Sequence, residues 1–533
     1  MTTPLFQFNQ NRADIEREVA LRAVDGFAHS AGDDPARSYQ LILNDAAFHE
    51  INRLEKSRGK EAQRLDDWKN LARRIGRMTE PELKAETLRR SEWYVNDVVG
   101  HFDKRVYRFA TSVLPVGLGA LFNTTDVIQG MAQVKNLAAR IRVEGDVDTL
   151  QALARRGTLV VVPTHSSNLD SIVLGWSLTH AQLPPCTYGA GKNLFANPLI
   201  GYFMRNLGAY RVDRRLRHLL YKDVLKLYSQ VLIERGYHSL FFPGGTRSRS
   251  GMIEQKLKLG LLGSALSAFS ERIARGDERP IYIVPVTINY PLVLEAETLI
   301  EDYLKEEGRA RYIIEDDEFS RMGRVAQYAV RVMGLENSLV IRYGEPMDVF
   351  GNAVGASGQS YAPDGTPIDP RGYLTVDGEA VVDPMRDAEY TRQTGGAVAS
   401  AFLRETVILP SNFLGWLLFE REKRWAPKLD LFALIRTTSG DRHDMTELCG
   451  DAERVRRLLV NEERLGHLRL DPAVRSAPID ELIEDGVRTY GMYHLRNAVE
   501  MTDDAVIVRD PKVLFYYGNR LANWAVDLRS GLA

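Results

Sequence analysis

Apolar positions recur at helical spacing through the first 140 residues, in stretches such as "IEREVALRAVDGF" and "AAFHEINRLEKSRGKEAQRLDDWKNLARRIGRM". That region, 1–140, is expected to be helical. Arg73, Arg74, Arg77, Arg89 and Arg90 add a basic stripe, read as a solvated helix face in preference to a contact with anionic headgroups. From about residue 141 the texture changes, and short β-rich runs alternate with helical stretches. "TLVVVPT" precedes "LDSIVLGWSLTHA", "AYRVD" precedes "HLLYKDVLKLYSQVLIERG", and "HSLFFPGG" precedes "KLKLGLLGSALSAFSERIARG". "IYIVPVTINY" and "SLVIRYGEPM" complete the series. The alternation predicts an α/β fold over 141–350, a mixed and largely parallel sheet with helices on both faces. Residues 351–392 are rich in Gly, Pro and Asp and are expected to form an excursion with hairpins at "PDGT" and "VDGE". Residues 393–533 return to a helical pattern.

Composition narrows the function classes. The chain has 533 residues, 44% apolar and 26% charged, with a formal net charge of −2. It is long enough for two or three domains and carries no global charge that favours nucleic acid. Anion binding must come from local clusters. The two cysteines, Cys186 and Cys449, argue for a reducing compartment, and no Cys/His spacing resembles a metal site. The first residues lack the basic and apolar regions of a secretory leader, so none is expected. No run of about 18 apolar residues suggests a membrane span. Two shorter patches, Val113–Phe122 and Val407–Phe419, read as core helices or monotopic membrane contacts, with burial favoured.

Candidate chemistry begins after the "TLVVVPT" strand, where "HSSNLD" places His165 five residues before Asp170. A histidine near neutral pKa suits a general base, and a carboxylate on its other ring nitrogen fixes the tautomer. The spacing alone is uninformative, since His29 with Asp34 and His218 with Asp223 share it. His29 lies in a polar stretch expected to be a loop, and His218 opens a predicted helix. Only His165 has a strand before it and a helix after it. Three later segments face the same predicted rim of strand ends. "GAYRVDRR" carries Arg211, Arg214 and Arg215, and "FFPGGTRSRSG" carries Gly244, Gly245, Arg247 and Arg249. "VPVTINY" contains Pro285, which suggests an edge strand or a bend. Each arginine group alone is an ordinary solvated surface; together after parallel strands they point to a small anion.

These four blocks, in this order, resemble the glycerol-phosphate acyltransferase superfamily, and within it the glycerol-3-phosphate and dihydroxyacetone-phosphate acyltransferases. "GAYRVDRR", "TRSRSG" and "VPVTINYPLVLEAETLI", with Glu295 and Glu297, carry the closer resemblance, which covers roughly residues 140–350. It implies His165 as the base and Asp170 as its partner. It implies an acceptor phosphate held by Arg214 and by Gly245, Thr246, Arg247, Ser248 and Arg249, and a fourth block at Pro285 that helps shape the acyl-donor site. The expected activity is transfer of a fatty acyl group from acyl-CoA or acyl-carrier protein to a hydroxyl of glycerol 3-phosphate, in phospholipid biosynthesis. No metal or redox cofactor is implied, and attachment would be peripheral, on the cytoplasmic face of a membrane. Alternatives are acylation of lysophosphatidate or another polyol phosphate, or a non-catalytic lipid- or acyl-binding relative. The last arises because Gly244 stands where the family carries a glutamate. Ser166 likewise replaces an arginine common in the nearest relatives, and Asp213 stands where some have another arginine.

Overall fold

A computed structural model describes residues 4–30, 34–57, 59–111, 141–195, 198–293, 295–307, 339–376, 379–381, 383–437, 440–491 and 497–532. At its centre is a seven-stranded sheet: β1 (Ile141–Glu144), β2 (Thr158–Pro163), β3 (Thr187–Gly191), β4 (Ala209–Val212), β5 (Ser239–Leu240), β6 (Ile281–Asn289) and β7 (Leu339–Tyr343). The strand order is β1-β7-β6-β2-β5-β3-β4. Every neighbouring pair is parallel except β6 with β7. β2 and β6 are buried along their whole length, which is why they read as unbroken apolar runs: a strand covered on both faces has no wet side. Because β2, β4, β5 and β6 run the same way, the chain leaves all four at one rim of the sheet.

The N-terminal region folds as α1 (Phe8–Ser30), α2 (Pro35–Leu54), α3 (Leu65–Arg74) and α4 (Glu80–Val98). Thr79 and Glu82 form a capping box at the start of α4, which satisfies first-turn N–H groups. Around the sheet lie α5 (Val147–Arg156), α6 (Asp170–His180), α7 (Leu219–Glu234) and α8 (Gly260–Ala274), followed by α9 (Pro384–Glu405), α10 (Pro410–Trp425) and α11 (Pro511–Gly518). The N-terminal helices share a core with Tyr210 of β4 and with Tyr221, Val224 and Tyr228 of α7. A second core contains residues from Leu150 to Leu532, so the C-terminal region packs onto the sheet and its covering helices.

Several expectations are corrected. His29 sits in the last turn of α1, its ring bonded to the Asp25 carbonyl at 2.7 Å. Asp34 instead caps α2 through the Arg37 N–H at 3.0 Å. The basic stripe is interrupted: Arg90 is buried over Trp68 and paired with Glu86 and Asp67, while Arg89 pairs with Glu86. Pro285 lies in a central strand, not an edge. Its carbonyl accepts from the Gly344 N–H at 2.8 Å, and β7 then loops past before Met347 pairs with Ile283. The N–H that proline lacks would have faced that loop, so no ladder bond is lost.

The "PDGT" hairpin forms between Ser360–Tyr361 and Pro367–Ile368, and Thr375–Val376 pairs with Glu379–Ala380. The excursion ends earlier than expected, because Asp383 caps α9 at Pro384. The C-terminal region is not purely helical. It includes a three-stranded antiparallel sheet of Arg442–Asp444, Ala505–Val508 and Val499–Met501. Val407–Phe419 is buried throughout and supplies most of α10. Val113–Phe122 lies outside the described residues. Among the described residues no helix is long and apolar enough to cross a membrane.

Candidate active site

β2 ends at Pro163 and α6 opens on Asp170, so the six residues between them form a turn over the sheet rim. A carboxylate at the first position of a helix meets the backbone N–H groups of the turn that feeds it. Here Oδ2 of Asp170 accepts from the N–H groups of Ser166 at 2.7 Å and Ser167 at 3.0 Å, and lies 2.8 Å from Nδ1 of His165. Its Oδ1 accepts from the Tyr290 hydroxyl at 2.7 Å. Asp170 is fully buried, whereas the His165 side chain keeps 14% of its surface open. With an acceptor facing Nδ1, that nitrogen carries the proton, and Nε2 is left to take one from a substrate. The imidazole stacks on Phe242, ring centroids 4.2 Å apart, which fixes its plane.

Phe242 introduces the glycine loop, and the loop is fastened directly to the histidine turn. The Ser248 N–H donates to the His165 carbonyl at 2.8 Å. Within the loop, Gly245 N–H bonds to the Phe242 carbonyl at 3.0 Å and Lys258 N–H to the Pro243 carbonyl at 2.7 Å. Ser248 Oγ donates to the Met252 carbonyl at 2.8 Å. Gly245 has φ +71, a conformation that disfavours any side chain, and a Cβ there would approach Lys258 Cδ within 2.5 Å. Thr246, Arg247, Ser248 and Arg249 therefore occupy a short, tied loop beside His165.

The three arginines after β4 are separated by their partners. Arg211 reaches Asp97 at 3.3 Å, and Arg215 pairs with Asp213 at 2.8 Å and Glu61 at 3.2 Å. Burial alone would raise the Asp213 carboxyl, but bonds from Arg215 and the charge of Lys192 bring it down to about 2. Arg214 differs from both in the charges that surround it. Desolvation among its neighbours, and then the charges of Arg247 and Arg249, lower its guanidinium even though the outer surface of the residue faces solvent. Lys258 is lowered by burial and then by Arg214 and Arg249. Cations that depress one another have converged, and such a cluster suits a phosphate-sized anion.

The structure brings His165, Asp170, Arg214 and the loop Gly245–Arg249 to one place. It does not bring Pro285 there: that residue is buried in β6, level with Val162 of β2. The fourth block reaches the site through Tyr290 and Glu295. Glu295, fully buried, accepts from Ser167 Oγ at 2.8 Å and the Asn168 N–H at 3.1 Å, and pairs with Arg247 at 3.2 Å. It thereby joins the histidine turn to the arginine loop. Sequence reasoning named Glu295 only as a flanking residue and did not single out Tyr290.

The C-terminal segment, expected only to be helical, also packs against the site. Gly251, with φ +79, lies against the Tyr516 carbonyl of α11, and Asn519 Nδ2 donates to the Ser250 carbonyl at 2.8 Å. The Val293 N–H donates to the Tyr517 hydroxyl at 2.8 Å, and Arg520 donates to the Ile288 carbonyl at 3.1 Å. None of these contacts has a local sequence signal, since they join residues more than 200 positions apart.

Residues 140–289 match the acyltransferase family model. The glycerol-3-phosphate acyltransferase of Pasteurella multocida is 33% identical over 205 residues, which cover 38% of this chain and 23% of that one. That of Actinobacillus succinogenes is 34% identical over 203 residues, covering 38% and 23%. The matched segment thus spans about a quarter of the length of these curated relatives. Among solved structures, the 1-acyl-sn-glycerophosphate (LPA) acyltransferase PlsC of Thermotoga maritima superposes with a TM-score of 0.24 at 15% identity. That superposition covers 46% of this chain and 83% of that one, and is too slight to carry an argument.

Proposed function

We propose, from the acyltransferase-family domain that residues 140–289 form, that this chain transfers a fatty acyl group from a thioester to a hydroxyl of glycerol 3-phosphate. One observation carries the reading. The Ser248–His165 backbone bond makes the acid–base dyad and the cationic loop a single unit. A phosphate held by Arg214, Arg247 and Arg249 presents a hydroxyl of the same small molecule to Nε2 of His165. His165 takes the hydroxyl proton as oxygen attacks the thioester carbonyl, and Asp170 stabilises the imidazolium. Collapse of the tetrahedral intermediate expels the thiolate, which takes the proton back from His165. The donor is acyl-CoA or acyl-carrier protein, the product enters phospholipid synthesis, and no resident cofactor takes part in the proposal.

Thiol release from each donor, with and without glycerol 3-phosphate, tests the reading. Release that depends on the acceptor supports it. Release without acceptor means a hydrolase, and no release from either donor sinks the proposal. Lysophosphatidate run in parallel decides the acceptor: a higher kcat/KM there would reassign it. Arg214→Ala is expected to raise the acceptor KM by roughly 5- to 150-fold, equivalent to about 1–3 kcal/mol for a charge-assisted bond, with kcat little changed. An unchanged KM would remove Arg214 from the clamp.

Attachment to a membrane, on its cytoplasmic face, is part of the same proposal. Exposed Phe109 stacks on Phe203 beside exposed Tyr202, and Lys104, Arg105, Arg108 and Arg205 are exposed on the same two segments. Aromatic and basic side chains together suit a peripheral contact with anionic lipid. Replacing Arg105 and Arg108 by Glu is expected to lower binding to anionic vesicles by at least about tenfold. Equal binding by that variant would place the contact elsewhere.

A further inference from the structure

Gly244 has no positive φ, unlike its neighbour Gly245, so its φ does not by itself call for glycine. The three atoms nearest a Cβ built there all belong to one side chain. A Cβ on Gly244 would come within 2.5 Å of the carboxyl carbon of Glu254 and 2.8 Å of its Oε2. Both Glu254 oxygens are buried and bond to no protein group. Buried carboxyls without partners are costly and rarely kept without a use. This one lies at a junction. Gly244 of the arginine loop lies beside it, and the His165 backbone and the charge of buried Arg520 also act on it. Burial raises the carboxyl to about 8, against the pull of Arg520 and of the His165 N–H, which approaches without hydrogen-bonding geometry; Asp170 adds to the rise.

We propose that Glu254 is a positioning residue of the transfer site. Its carboxyl occupies the space over Gly244 and sets the separation between the arginine loop and the His165 turn, and residue 244 is glycine in order to admit it. The acidic group that the resemblance leads one to expect at 244 is thereby delivered from ten residues downstream. The effect of Glu254 on turnover is expected at His165, whose backbone N–H approaches the carboxyl. The charges of Arg520 and Asp170 act on its carboxyl, while Arg214 feels Arg247 and Arg249.

The inference rests on the acyl-transfer reading, and four proteins test it: wild type, Glu254→Ala, Gly244→Glu, and the double variant with both changes. Each is assayed for acceptor-dependent thiol release and for Tm. Glu254→Ala is expected to lower kcat on the order of 100-fold, the effect of a displacement of about 1 Å at a reacting group. The acceptor KM should stay within about threefold, a split that general loss of packing would not produce. Gly244→Glu should lose activity and Tm together, because two carboxyls then compete for one buried space. The double variant should recover at least about tenfold in kcat over either single change, and the lost Tm with it. Wild-type turnover in Glu254→Ala, or a double variant no faster than the slower single one, overturns the proposal. If wild type itself releases no thiol, the acyl-transfer reading fails separately. Recovery of Tm in the double variant then supports the shared space, and its absence overturns it.

Discussion

His165→Ala is expected to lower acyl transfer by at least roughly 10³-fold while glycerol 3-phosphate still binds. General bases supply about 10²–10⁴-fold, and among the described residues no other imidazole is tied into this cluster to take over. The ring is partly exposed and contacts Phe242 on one face, so its removal leaves the sheet intact. The backbone bond that fastens the loop survives, because it uses the His165 carbonyl and not the side chain. Phosphate affinity should therefore stay within a few-fold of wild type by calorimetry while turnover disappears. Turnover within tenfold of wild type would mean that another group accepts the hydroxyl proton.

Asp170→Asn should be nearly as severe for a different reason. The amide keeps an oxygen for the Ser166 and Ser167 N–H groups and for Nδ1 of His165, and turns its nitrogen to the Tyr290 hydroxyl, which can accept. Geometry survives and the negative charge does not. A fall in kcat of about 10²–10⁴-fold at constant acceptor KM is expected, because the charge matters only once His165 is protonated. Tyr290→Phe removes one of four bonds to the same carboxylate and should lower kcat by no more than about tenfold. Should Asp170→Asn raise KM and leave kcat alone, the residue would belong to acceptor binding.

Much of this site was legible from local pattern. The strand "TLVVVPT" followed by a helix distinguished His165 from His29 and His218, and the structure explains the other two. Asp34 caps a helix, and His218 itself caps α7 through the Tyr221 N–H. Arg214, Arg215 and Arg211 were not separable by sequence, because their difference lies in Asp97, Asp213 and Glu61, two of them from other parts of the chain. Pro285 misled for a related reason. A proline marks an edge strand by its missing donor, but a central strand tolerates it where the neighbour loops away.

Gly244 divides the two kinds of knowledge most clearly. The sequence shows a loop that lacks an expected carboxylate; the folded chain shows a carboxylate already in that space, belonging to Glu254. By itself the sequence determined what short-range physics sets: the β/α alternation, the common rim of strand ends, the His165–Asp170 turn and the convergence of basic loops. Hydrophobic period and strand direction suffice for those. Tertiary structure alone decided which arginine feels the charges of the loop, how Glu295 and Tyr290 brace the dyad, and that α11 closes over Gly251. Those contacts join distant residues through packing and desolvation, whose strength depends on what surrounds a group and not on what precedes it in the chain.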